Sequence, residues 1–356
     1  MIGRRRLRQG GTLVAAAAIL AAGAALTGCG GTAAAGGETI TLYNGQHEQT
    51  ADSLITAFEH KTGIHVVVRS DDEDVLADQI ATEGARSPAD VFFTENSAPL
   101  ESLQARGLLS RLGTATLAST PGRFNSPQDD WVGVSARVSA IVYNPSLISA
   151  SRLPQHVSQL ADPQYRGKLA LAPGETDFQP IVTAYQHAYG TAATLTWLGK
   201  IDANAAGHVY PDNETIANQV NRGAVAFGIV NQYYWYRLRA EIGAGNMHSK
   251  LAYFAAGDPG YVIDVSGAAV LKSSKHQADA QKFVAFLVGR QAQEILATPG
   301  TQPGTSSLSF EYPIASGVTT HAGEVPFGEL RPYPITIAQL GDGSTAIALL
   351  RQAGLI

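Results

Sequence analysis

His47, Glu95, Tyr233 and Tyr234 are one imidazole, one carboxylate and two phenols, each placed just beyond a predicted strand. That set suits a hard, highly charged cation. Softer metals favour thiolates or more imidazoles, and the single cysteine, Cys29, sits near the N-terminus. A phenol titrates near pH ~10, so a cation that holds two phenolates at neutral pH must depress that value strongly. Iron(III) prefers phenolate oxygen, and two phenolates with one carboxylate cancel its charge if His47 stays neutral. Taken alone, Val230-Asn231-Gln232-Tyr233-Tyr234-Trp235-Tyr236 reads as half-buried packing. Joined to His47 and Glu95, it reads as half of a metal site, with Tyr236 left to packing. Neighbouring residues do not share a face of a regular helix or strand. The sequence therefore predicts an irregular turn at Asn231-Gln232.

The elements that must bring these residues together alternate. Thr39–Tyr43 reads as a strand, and Ala51, Leu54, Ile55 and Phe58 fall on one helical face that Gly63 ends. Ile64–Val68 is a second strand. Asp71-Asp72-Glu73-Asp74 lacks the alternating oxygen ligands and the glycine of a calcium loop. It is expected to be a solvated helix start that complements the positive helix N-terminus, leading into Val75, Leu76 and Ile80. Val91–Phe93 is a short buried strand. Trp131–Asn144 is a long extended stretch, expected to cross into a second lobe, and Tyr261–Leu271 is its return. Leu169–Ala172 and Ala224–Ile229 are further strands, Asn213 is placed to cap a short helix, and Ser344–Ala353 closes the chain as a helix stopped by Gly354. This alternation predicts an α/β fold with a largely parallel sheet, whose strand ends share one crevice.

Length and composition agree. The chain has 356 residues, 45% apolar and 15% charged, which suits two lobes of a globular protein. Residues 1–28 stand apart as an export signal: Arg4, Arg5, Arg6 and Arg8, then an apolar run from Leu13 to Leu26, short for a membrane span. Leu26-Thr27-Gly28-Cys29 resembles a bacterial lipobox, which makes Cys29 the lipidated first residue of the mature chain, followed by a small-residue tether through Gly37. Without residues 1–28, 21 basic residues face 30 acidic ones, a net of −9. That balance disfavours nucleic acid and anionic lipid as partners. No phosphate loop, nucleophile elbow or paired-histidine zinc motif is present. The remaining histidines, His60, His65, His156, His187, His208, His248, His276 and His321, are scattered and read as surface or packing residues.

Tyr43-Asn44-Gly45-Gln46-His47, Ser87–Phe92 with Glu95, and Asn231-Gln232-Tyr233-Tyr234-Trp235 closely resemble the ferric-ion-binding proteins, the substrate-binding components of bacterial iron(III) ABC importers. Ser266–Lys272 and Lys282–Leu287 are similar too, and the resemblance spans residues 38–356. It implies a two-lobed periplasmic-binding-protein fold of class II, transferrin-like, with two crossing hinge strands and a cleft between the lobes. The expected lobes are 38–138 with 264–314, and 139–263 with 315–356. It further implies that His47 and Glu95 come from one lobe and both tyrosines from the other, in a monomer that binds iron, performs no catalysis, and serves an ABC permease from a lipid anchor on the outer face of the cell membrane.

The family often completes the coordination with an external anion, phosphate or carbonate, seated on a Ser-Gly-small turn. The matching turn here is Glu175-Thr176-Asp177, and Asn96, Asn213 and Asn231 fill the other matching positions. Two readings are open: Glu175 or Asp177 partly replaces the external anion, or both point to solvent. Arg137 is expected either to compensate that charge or to form a salt bridge between lobes. The alternative function keeps the fold and binds a small organic molecule such as thiamine or a polyamine. A metalloenzyme is a third reading, without a reaction motif to support it.

Overall fold

One 13-residue strand, Trp131–Tyr143, pairs with four others in the sheet. The computed structural model describes residues 38–297, 309–315, 317–320 and 323–356. The export signal, Cys29, the tether and His321 lie outside the described residues.

In chain order the strands are β1 (Thr39–Asn44), β2 (His65–Ser70), β3 (Val91–Thr94), β4 (Trp131–Tyr143), β5 (Leu169–Ala170), β6 (Phe227–Asn231), β7 (Lys250–Ala252), β8 (Ile263–Val270) and β9 (Tyr312–Pro313). The helices are α1 (Glu48–Thr62), α2 (Glu73–Glu83), α3 (Ala98–Ala105), α4 (Thr114–Leu117), α5 (Gln179–Tyr189), α6 (Thr191–Ala205), α7 (Asn213–Asn221), α8 (Gln232–Ile242), α9 (Gln277–Leu287), α10 (Arg290–Ala297), α11 (Ile337–Leu340) and α12 (Ser344–Ala353). The sheet order is β2-β1-β3-β8-β4-β6-β5, with β7 and β9 also on β4.

The sheet is mixed, which corrects the expectation of a largely parallel one. β1 pairs in parallel with β2 and β3, and β5 with β6. β8 is antiparallel to β3 and β4, and β4 is antiparallel to β6. The reason is topological: one strand crosses outward, the other returns, and a strand and its return lie head to tail. Every residue of β4 is buried. Its partner changes within one step, from β8 at Val138 to β6 at Ser139.

Alternation in β1 points Ile40 and Leu42 into a cluster with Leu54 and Phe58 of α1 and Phe283 of α9, and the Phe58 and Phe283 rings meet edge to face at 4.9 Å. Gly63 ends α1 in the left-handed region, its N–H donating to Glu59 O at 2.8 Å, a conformation that costs glycine little. A larger cluster packs on β4 and β6 and includes Trp131, Ile141, Trp197 and Phe227. α7 begins one residue earlier than expected. Its cap is Asp212, whose carboxylate accepts from Thr215 N at 2.6 Å, and Asn213 is the first helical residue.

Candidate metal site at the strand ends

His47 follows β1 and caps α1. The turn before it is held by its own side chains: Asn44 Nδ2 donates to Gln46 O at 2.7 Å, Gln46 Oε1 accepts from His47 N at 2.8 Å, and Gln46 Nε2 donates to Ser266 Oγ of β8 at 3.0 Å. Gly45 lies against the start of α2, where a Cβ would stand 2.5 Å from Glu73 Cβ.

Glu95 follows β3 and is fixed from below by a residue the sequence reading left in solvent. Glu73 is 4% exposed. Its Oε2 accepts from Glu95 N at 2.8 Å and Asn96 N at 2.9 Å, and its Oε1 from Asn96 Nδ2 at 2.9 Å. The acidic run does open a helix, but its third acid turns inward because two adjacent backbone N–H groups beyond β3 need an acceptor. Burial, reinforced by Glu95, pushes the Glu73 carboxyl well above the usual range.

Tyr233 and Tyr234 lie in the first turn of α8, which follows β6 directly. The irregular turn expected at Asn231-Gln232 is absent: Asn231 caps the helix and Gln232 begins it. Helical side chains lean toward the N-terminus, so two long phenols of a first turn reach past the helix end together. Their rings stack at 4.2 Å. Gln232 is fully buried, its Oε1 accepting from Val138 N at 2.8 Å and its Nε2 donating to Phe310 O at 3.2 Å. Tyr236 stays apart, its hydroxyl donating to Gly323 O at 3.1 Å.

The four residues converge. His47 Nε2 is 2.8 Å from Glu95 Oε1 and 3.2 Å from the Tyr233 hydroxyl. The His47 ring meets both tyrosine rings edge-on, at 5.5 and 5.8 Å. Donors around one octahedral ion, each at about 2.1 Å, stand about 3 Å apart along an edge, and the His47–Glu95 and His47–Tyr233 distances match that spacing. Burial opposes the charge on Glu95, but His47 and then Arg137 outweigh it and hold the carboxyl at about 2. Burial pushes both phenols well above their ordinary value, helped at Tyr233 by Asp177 and Glu95 and at Tyr234 by Tyr233 and Asp177. Only a cation could hold either phenol ionised there. Among the described residues, no three His, Cys, Asp or Glu side chains form a metal cage by themselves; a cage at this point would need the phenols.

The Glu175-Thr176-Asp177 turn faces inward, against the reading that both acids point to solvent. Asp177 is 6% exposed. Asn96 Nδ2 donates to Thr176 Oγ1 at 3.0 Å and Asp177 Oδ1 at 3.2 Å. Asn213 donates from its backbone to Glu175 Oε2 at 2.9 Å and from Nδ2 to Asp177 Oδ2 at 3.1 Å, and Nδ2 also meets Glu175 Oε2. The Tyr234 hydroxyl donates to Glu175 Oε1 at 3.3 Å. Burial, then Asp177, pushes Glu175 up to about 10; burial wins over Arg137 at Asp177, which rises to about 6. Asn231 lines a small pocket with Asp177 and Asn213.

Arg137 is 1% exposed and compensates the charge of that turn. It pairs with Asp177 at 3.6 Å and Glu95 at 3.5 Å, and its guanidinium lies over the Tyr233 ring at 5.3 Å. Its closest partner is Glu311, at 2.8 Å, a residue without any local sequence signal. Glu311 follows Phe310, whose φ of 50° is a left-handed conformation unusual for a bulky residue. The cleft above this centre has a volume of about 750 Å³, and nine acidic side chains line it against one arginine, Arg237.

Residues 41–302 match the family of bacterial extracellular solute-binding proteins. The chain belongs to that family. Its resemblance to the ferric-ion-binding proteins within it is borne out by its relatives. The Fe(3+)-binding periplasmic protein of Serratia marcescens is 36% identical across 92% of this chain and 94% of its own length. The major ferric iron-binding protein of Neisseria meningitidis is 35% identical across 89% of this chain and 93% of its own. The iron-bound HitA structure from Pseudomonas aeruginosa superposes with a TM-score of 0.82 at 39% identity, covering 89% of this chain and 99% of that one. The fold is thus the two-lobed one of periplasmic binding proteins, and the family is one of solute binding in transport.

Proposed function

We propose that this protein captures ferric iron in its cleft through His47, Glu95, Tyr233 and Tyr234 and delivers it to an ABC permease. The observation that carries this reading is the meeting of His47 Nε2 with Glu95 Oε1 at 2.8 Å and with the Tyr233 hydroxyl at 3.2 Å, beside the second phenol. Hard donors at ligand spacing, in a negatively lined cleft, suit a trivalent cation. The iron-binding names of its relatives support the same cargo. An organic ligand such as thiamine or a polyamine fits less well, because the two tyrosine faces stack on each other instead of opening as a cage.

The lobes we assign are residues 38–138 with 264–314, and 139–263 with 315–356; the change of partner along β4 between Val138 and Ser139 supports that division. His47 and Glu95 then approach the ion from one lobe and the tyrosines from the other, so iron staples the cleft shut. We further propose that the chain is a monomeric binding protein without catalytic activity, exported and tethered to the outer face of the cell membrane through a lipid on Cys29. Adding ferric iron to the iron-free protein should produce a visible phenolate-to-iron band and raise the melting temperature. Tyr233→Phe and Tyr234→Phe should each lose most of the band. No colour and no thermal shift in the parent protein would refute the iron reading.

A further inference from the structure

We propose that the cleft carries its own anion: Glu175 is a fifth iron donor supplied by the chain, and Asp177 fills the space beside it, so ferric iron is held without an external anion. This rests on the iron reading above and adds a claim about how the coordination is completed.

Most of the donors that a bound anion would need are already in use. A small anion buried beside the metal needs hydrogen-bond donors in place of water. Of the side chains placed to give them, Asn96, Asn213 and Arg137 are committed, while Asn231 lines the small pocket beside Asp177. An amide nitrogen has two hydrogens. Asn96 Nδ2 already faces three acceptors, Glu73 Oε1, Thr176 Oγ1 and Asp177 Oδ1, at 2.9, 3.0 and 3.2 Å. Asn213 is committed to Glu175 Oε2 through its backbone N–H and to Asp177 Oδ2 through Nδ2. Arg137 is shared among Glu311, Glu95 and Asp177. An incoming phosphate would have to displace carboxylates that are part of the chain, in a cleft where nine acids face one arginine.

The two carboxylates have different roles. Both oxygens of Asp177 are engaged, Oδ1 by Asn96 and Arg137 and Oδ2 by Asn213. Asp177 therefore remains a fixed charge that orients its neighbours. Glu175 uses Oε2 for Asn213, whereas Oε1 meets only the hydroxyl of Tyr234, at 3.3 Å. With iron in place of the phenolic proton of Tyr234, and that proton and the one on Glu175 released to solvent, that oxygen would stand about one octahedral edge from a ligand of the ion. The resulting donor set is one nitrogen and four oxygens, all from the protein.

The test uses the processed chain, stripped of iron and reloaded with ferrous chloride oxidised in air scrubbed of carbon dioxide, in a buffer free of phosphate. The expected result is full colour under these conditions. The desalted complex should hold iron but no phosphorus, and iron retention against citrate should change within about twofold when millimolar phosphate is added. Glu175→Gln should weaken retention about tenfold or more and make the band position respond to phosphate, while Asp177→Asn should gain the phosphate response. Colour that appears only with phosphate or carbonate, or one phosphorus retained per iron, would overturn the internal anion and leave the iron reading standing. Unchanged affinity and band in Glu175→Gln would remove its role as a ligand. No colour under any condition, with phosphate and carbonate included, would overturn the iron reading and this inference together. The stoichiometry of the parent protein decides the matter even if a variant folds poorly.

Discussion

Glu73→Ala removes three hydrogen bonds beneath the site in one step. The donors left behind are Glu95 N, Asn96 N and Asn96 Nδ2, now at 2.8, 2.9 and 2.9 Å from the Glu73 oxygens. A buried donor left unmade costs about 1–3 kcal/mol, and three of them set a ceiling of roughly 9 kcal/mol. Asn96 Nδ2 keeps Thr176 and Asp177 as acceptors. Removing a buried carboxylate whose ionised form is disfavoured by its burial returns part of the rest. The expected loss is therefore about 3–5 kcal/mol, within the class of large mutational effects. Glu73→Gln keeps an acceptor for the two backbone groups and should lose only about 1 kcal/mol. Urea unfolding of the iron-free protein measures both. Iron competition should show Glu73→Ala weakened about tenfold, because Glu95 loses the support that aims it, with Glu73→Gln close to the parent. A loss under about 1 kcal/mol in Glu73→Ala would refute the claim that this carboxylate supports the Glu95 turn.

Three further outcomes follow from groups that are not proposed ligands. Burial, then Asp130, pushes Glu101 up to about 7, so the folded chain binds a proton that the unfolded chain has released. That stabilising contribution is complete below the unfolded value of about 4.3 and is lost as pH rises through the folded one. Glu101→Gln should flatten the stability profile between those values and exceed the parent above neutrality by about 1–2 kcal/mol, a figure discounted for partial exposure; parallel pH profiles of melting temperature would count against it. Asp212→Ala removes the cap of α7 and should cost about 1 kcal/mol in thermal or urea unfolding, whereas Asn213→Ala should perturb the metal band more than its loss of stability explains.

The candidate ligands were legible because each follows a strand whose apolar run is easy to read, and strand ends in one sheet converge. Their supports were not. Glu73 sits in a run of four acids that locally looks like a solvated helix start, and its partners lie beyond the next strand, at Glu95 and Asn96. Glu311 meets Arg137 across 174 residues of chain, a distance over which side-chain type alone carries no signal. The antiparallel crossing strands also escaped the reading, since a buried strand has the same composition in either direction. The tyrosine pair shows the opposite error. Backbone periodicity alone points to an irregular turn for adjacent ligands, whereas phenols in a first helical turn lean together beyond the helix end.

The step at Val138–Ser139 has a mechanical consequence. Val138 N is held by the Gln232 side chain. Ser139 is clamped on both sides, its N–H donating to Val262 O at 3.0 Å and its Oγ accepting from Val262 N at 2.9 Å. Gln232 is the residue before Tyr233. The joint in β4 and the helix turn that offers the phenols are therefore geared together. Were the assigned lobes to turn about that step, the Gln232 contact and the Ser139–Asn231 pairing would carry the motion to the tyrosine helix, so that opening the joint would also withdraw the phenols.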